Sequence, residues 1–193
     1  STLDDESQFT AVNISPRLNW TLDGGDTLTW QTFFNAHHFA TDNVTRVDTP
    51  LGEPPQFPLL GASMSNRNEF LRTDLNWVHK LASGSKLDMK IGGLVGRLGN
   101  TQLRDGYNSA SVLTLRSETD SKGTDRGVSS TGKYTNPLIE GHSLALGWDG
   151  GYNTRDDARY EFDVLRGVPV SDEVYDGRVG RMAVYAQDEW NVT

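Results

Sequence analysis

Cysteine is absent from the 193 residues, so no disulfide, thiolate metal site or cysteine nucleophile can form. Zinc-finger and thiol-redox chemistry are excluded together. Long hydrophobic runs are missing as well. Hydrophobic residues make up 35% of the chain, and no stretch approaches the roughly 20 apolar residues that a membrane-spanning helix needs. Positive charge is scarce: 18 Lys and Arg face 26 Asp and Glu, for a net charge of −8. No concentrated cationic face of the kind that neutralises phosphates is visible, which argues against a nucleic-acid partner. The opening Ser1-Thr2-Leu3-Asp4-Asp5 has neither a basic n-region nor an apolar h-region, so any export signal is expected upstream or not at all.

What the chain does have is glycine, 20 residues of it, with aromatics at 9%. That is a composition of turns and aromatic-rich strands rather than of disorder. Helical periodicity is weak throughout. Period-two alternation instead recurs in segments of about 12–16 residues, more than twice the usual strand length of about 5–6. It predicts seven strands, at 8–22, 27–40, 66–82, 86–100, 126–138, 142–156 and 179–193. Tight turns are expected at Gly24-Gly25-Asp26, Ser83-Gly84-Ser85 and Ile139-Glu140-Gly141, where glycine can take positive φ. Long loops are expected at 41–65, 101–125 and 157–178. Loops above roughly 12–15 residues are uncommon in compact soluble domains. Short turns at one end and long loops at the other are the pattern of an outer-membrane barrel.

Alternation also sorts the faces. Leu71, Thr73, Leu75, Trp77, His79 and Leu81 share one side of the third strand, and Phe70, Arg72, Asp74, Asn76, Val78 and Lys80 the other. Keeping apolar residues opposite apolar residues requires an odd number of residues in each tight turn. Three-residue turns would set Trp20 opposite Trp30 and Lys80 opposite Asp88. About 13 residues at about 3.3 Å, tilted by about 45°, cover roughly 30 Å, the thickness of a bilayer's hydrocarbon core. Three residues fit poorly: Pro16, which lacks a ladder donor, and Arg97 and Asp188, charged on the apolar row.

The stretches ISPRLNWTLDGGDTL at 14–28 and VYAQDEWNVT at 184–193 look like hairpin segments of one known barrel family. The chain resembles the TonB-dependent outer-membrane receptors, which import ferric siderophores and similar scarce nutrients. That resemblance implies a barrel of about 22 strands filled by an N-terminal plug, a ligand site formed by plug apices and outer loops, and a TonB box that couples transport to the inner-membrane proton gradient. Neither plug nor TonB box is found in residues 1–193, so the chain reads as an internal piece of the barrel. The expected fold is all-β, an antiparallel meander of long hairpins belonging to a transmembrane outer-membrane β-barrel. The expected partners are outer-membrane lipid, a small-molecule metal chelate or nutrient, and TonB acting through a plug outside this segment. The rival expectation is a secreted β-sandwich or lectin-like binding module.

Little in the chain suggests catalysis. His37 and His38 are adjacent and point to opposite faces of a strand, and Asp4-Asp5-Glu6, Asp156-Asp157 and Asp188-Glu189 diverge in the same way, whereas a glycosidase needs two facing carboxylates. No G-x-S-x-G elbow, H-E-x-x-H helix or phosphate-cradling loop occurs. Gly92-Gly93-Leu94-Val95-Gly96 lies inside a strand and suits close approach of a neighbour better than phosphate binding. No catalytic or metal-ligating residue and no cofactor is expected. Ligand contact belongs to the long loops, with Arg104, Tyr107, Arg159, Tyr160 and Tyr175 as candidates: arginine offers a planar fork to an anionic chelate, tyrosine an aromatic platform. Arg72, Asp74, Lys80, Asp88 and Lys90 read as a charge network lining the interior.

Overall fold

The computed structural model describes residues 2–81, 84–139 and 142–190. Apart from a 3-10 turn at Asp23–Gly25, every element among them is a strand: β1 (Thr2–Ile14), β2 (Arg17–Thr21), β3 (Thr27–Arg46), β4 (Leu59–Lys80), β5 (Lys86–Tyr107), β6 (Leu113–Ile139), β7 (His142–Asp163) and β8 (Val168–Trp190). All eight join one antiparallel sheet in the order β1-β3-β4-β5-β6-β7-β8, with β2 also on β3. The first expected strand is thus divided at Ser15-Pro16. Proline has no N–H for the ladder, but the Pro16 carbonyl still accepts from Thr32 N at 3.0 Å, so β1 and β2 form one interrupted ribbon. The sheet does not close on itself, and its strands touch only their neighbours in the meander. No second sheet stacks on it among the described residues, so this chain forms no sandwich by itself.

The long loops expected at 41–65, 101–125 and 157–178 are mostly strand. β3 and β4 run on to leave a connection at 47–58, while β5–β6 and β7–β8 are joined by short turns at 108–112 and 164–167. Strands without apolar alternation persist there because the ladder bonds need only partners, not a buried face. β4, β5 and β7 are each 22 residues long, about 73 Å of extended chain.

The tight turns differ from expectation by two residues. Leu22 N donates to Asp26 O at 2.8 Å and Gly25 N to Leu22 O at 3.1 Å. Leu81 N donates to Ser85 O at 2.9 Å and Gly84 N to Leu81 O at 3.0 Å, an identical five-residue closure. Gly25 (φ 84°) and Gly84 (φ 81°) hold the equivalent left-handed position. Trp20 therefore faces Leu28 and Trp30 faces Leu18; Lys80 faces Lys86, and Asp88 faces Val78. A slip of two residues leaves every side chain on its expected face, because the pleat repeats every two. The third expected turn includes Glu140 and Gly141, which lie outside the described residues.

One face carries a continuous apolar band. In register across the sheet, Leu28, Trp77, Met89, Gly132, Trp148 and Val184 form one row of it and Trp30, Leu75, Ile91, Ser130, Gly150 and Met182 the next. On β5 this face bears no charge from Leu87 to Val95, about nine residues, the length of a tilted membrane strand. Arg97 lies just beyond, opposite Glu69 on β4, and marks the band's upper edge. Asp188 lies at the short-turn edge, opposite Leu144, and its Oδ2 is 3.0 Å from His142 Nδ1, whose ring stacks on Trp190. Both charged misfits are boundary residues.

The area exposed is 13329 Å², against about 9,100 Å² for a compact monomer of this mass. Ala145 is the one buried hydrophobic residue among those described, while Leu75, Leu146 and Val128 are 40%, 45% and 63% exposed. A single-layer sheet has no partner within this chain to cover that face.

Asp26 ties one short turn to the next hairpin. Its Oδ1 accepts from Lys80 N at 2.9 Å and its Oδ2 lies 2.6 Å from His79 Nδ1. The Lys80 N–H first, then His79, hold its carboxyl below the usual carboxylate range. A lowered native pKa contributes stability that is present above the unfolded value near 4 and lost as pH falls through the native one. Acid titration of unfolding should therefore show this loss below pH about 4, and Asp26→Asn should be less stable at neutral pH and lack that acid limb.

Candidate functional site

The face opposite the band is charged and ion-paired. Asp74 is its centre: Oδ2 accepts from Arg72 Nε at 3.1 Å, and Lys90 Nζ stands 3.6 Å from Oδ1. Asp74 Oδ1 is buried and makes no hydrogen bond among the described residues. Further along, Arg181 Nε is 3.3 Å from Asp149 Oδ1, and Arg155 bridges Asp157 at 2.6 Å and Asp125 at 3.4 Å. Arg72, Asp74 and Lys90 form an ion-paired network on this face. Asp88 pairs with Lys86 at 3.6 Å rather than with Lys80, a consequence of the five-residue turn.

Register builds a trough into this face. Asp74, Gly92, Ser129, Gly151 and Arg181 are consecutive partners from β4 to β8. Three small residues thus separate an acid at one end from a guanidinium at the other, across four strand spacings or about 19 Å. Gly127 and Asn153 line the adjoining row, and the groove encloses about 220 Å³. A Cβ on Gly92 would stand 2.6 Å from Asp74 Oδ1, and one on Gly127 would meet Asn153 Oδ1. The space over these glycines is taken by the neighbouring Asp74, Ser129 and Asn153 side chains, so their lack of a Cβ relieves crowding within the sheet itself. Ser129, Asn153 and Arg181 were not among the sequence candidates.

The five ligand candidates are spread over the upper parts of the hairpins. Arg104, on β5 between Ala62 and Ser117, shares the charged face with Arg159 and Tyr175, whereas Tyr107 and Tyr160 fall on the other face. Arg159 faces Glu173 and reaches Glu161 at 3.3 Å; Tyr175 donates its hydroxyl to Glu173 at 3.0 Å. That carboxylate pushes the Tyr175 phenol pKa up, against the opposing effect of Arg159. Arg159 and Tyr175 thus come together with two glutamates. Arg104 and Tyr107 lie at the neighbouring hairpin, and Tyr160 stacks on Phe162 at 6.1 Å. Near Arg104, Arg116 binds Asp105 in two parallel hydrogen bonds of 2.7 and 2.6 Å, which lower the Asp105 pKa and fix the tip of β5–β6.

His37 and His38 bond to Asn35 at 3.1 Å and Ser65 at 3.0 Å on opposite faces. Among the described residues, no three His, Asp or Glu side chains gather as a metal-binding set. Compared with known proteins, the chain matches no family model and no curated protein sequence.

Proposed function

We propose that this chain is a wall segment of a bacterial outer-membrane β-barrel, of the TonB-dependent receptor type, that takes up a metal chelate or similar scarce nutrient. The observation that carries the membrane reading is the band: one face is free of formal charge over about nine residues per strand, in register across the sheet, and is backed by an ion-paired face. Lipid would cover the band, and the charged face would line an interior. The receptor type rests on the likeness at 14–28 and 184–193. In that assignment the charged face looks toward the polypeptide filling the lumen, and the hairpin tips bearing Arg104, Arg159 and Tyr175 meet the ligand. The chain's part in uptake is scaffolding and capture; TonB acts through a plug, and no bond is broken here.

Because the chain has no cysteine, single thiols can map its sidedness. Asp23→Cys marks the short-turn end and Ser109→Cys the far tip. In intact phosphatidylcholine vesicles a membrane-impermeant maleimide should label one of the two, and both after lysis. Labelling of both in intact vesicles, with the chain recovered in the aqueous fraction, would refute the membrane reading.

A further inference from the structure

The upper edge of the band carries a cluster of cations on the lipid side. Arg97 faces Glu69 on β4 and Thr124 on β6. Lys122 and Arg126 flank Thr124 two residues to either side, and Arg67 sits two residues from Glu69, so all four share one face. Three of these cations each pair with an acid on the same face: Arg67 Nε with Glu69 at 3.1 Å, Lys122 Nζ with Asp120 at 3.2 Å and Arg126 Nη1 with Asp156 at 3.7 Å. In each pair the cation is the more exposed partner, 74% against 37%, 74% against 41% and 64% against 55%. Each acid thus orients a side chain that stays mostly exposed. Arg97 has no ion-pair partner among the described residues, and its guanidinium keeps its donor fork free.

Directly below lie Leu71, Val95 and Val128, 42%, 41% and 63% exposed. Apolar surface meets exposed cations within one pleat repeat, the arrangement of a lipid molecule in reverse. We infer that Arg67, Arg97, Lys122 and Arg126 hold the phosphate of an anionic lipid headgroup whose acyl chains lie along the band. Arginine suits this role because its planar fork takes two phosphate oxygens at once, and the band's length puts the cluster at headgroup depth.

This inference rests on the membrane reading, and one experiment separates the two. The full chain is added to vesicles of phosphatidylcholine and to vesicles with about one-fifth phosphatidylglycerol, and insertion is followed by the blue shift of tryptophan emission. The expected result is insertion into both, with affinity for the anionic vesicles higher and reduced by salt. Arg97→Gln/Arg126→Gln should still insert into phosphatidylcholine but lose about 10- to 30-fold of the anionic preference. Arg97→Lys/Arg126→Lys should recover most of it, and Arg166→Gln, at the β7–β8 turn, should leave it unchanged. Insertion without any anionic preference, or a preference that survives the double Gln variant, overturns the lipid site alone. Failure of the unaltered chain to insert in either vesicle overturns both readings.

Discussion

Leu75→Arg is expected to lower the stability of the lipid-embedded sheet by about 2–4 kcal/mol, the cost of a cation near the bilayer midplane. Leu75 stands between Trp30 and Ile91, several residues from the nearest charge on its face, and is 40% exposed. Were that face in water, the same change would be an ordinary surface substitution worth less than about 0.5 kcal/mol. Gln31→Arg is the matched control: it lies opposite Asp74 on the charged face and should stay within that smaller range. Urea titration of the refolded chain in vesicles, compared across the three proteins, measures the difference. Equal and small effects at both positions would remove hydrocarbon from the account.

Gly132→Val should destabilise by about 1–3 kcal/mol, the usual effect of overfilling a packed site. The six-membered ring of Trp148 lies over Gly132, where a Cβ would collide with it, and Trp148 Nε1 donates to Ser130 Oγ at 3.0 Å. A valine side chain must push the indole out and break that bond. Strand propensity alone predicts the opposite sign, since valine favours strands over glycine by up to about 1 kcal/mol. The double variant Gly132→Val/Trp148→Ala should therefore unfold at a higher urea concentration than the sum of the single changes predicts. Additive effects would mean that the indole over the glycine contributes nothing.

The faces of the strands were legible because the band demands alternation. Leu28, Trp30 and Thr32, and Leu71, Thr73 and Leu75, declare their side in the sequence, and the register agrees. The strand ends were hidden for the complementary reason: above the band both faces are polar, so the hydrophobic signal stops while the ladder continues. A different signal was present there. Asp120 and Lys122, Arg155 and Asp157, Arg159 and Glu161, and Asp176 and Arg178 are opposite charges two residues apart, at 3.2, 2.6, 3.3 and 3.9 Å. Such spacing puts both on one face of a strand, as no helix does. Reading 101–125 and 157–178 for charge alternation would have extended the strands.

Turn length was half legible. Glycine marked the position needing positive φ, but the closing residues Leu22 and Leu81 are apolar and carry no turn signature. The trough was not legible at all. Its line from Asp74 through Gly92, Ser129 and Gly151 to Arg181 depends on four registers at once, and a glycine in one strand says nothing about its partner in the next. The candidates Arg159 and Tyr175 converge because β7 and β8 extend far enough to pair them, a consequence of the strand lengths that the loops were expected to replace.

Among the described residues, strand contacts in this sheet run between members adjacent in the meander, with β1 and β2 both on β3, and each pair of long strands is closed by its own connection. Such an assembly is close to a one-dimensional array, whose total stability is a sum over adjacent members rather than the yield of a shared centre. Each hairpin can then form against the last one placed, with a modest loop-closure entropy that does not grow with the number already present. Growth by repetition of that unit requires no distant segment to arrive first.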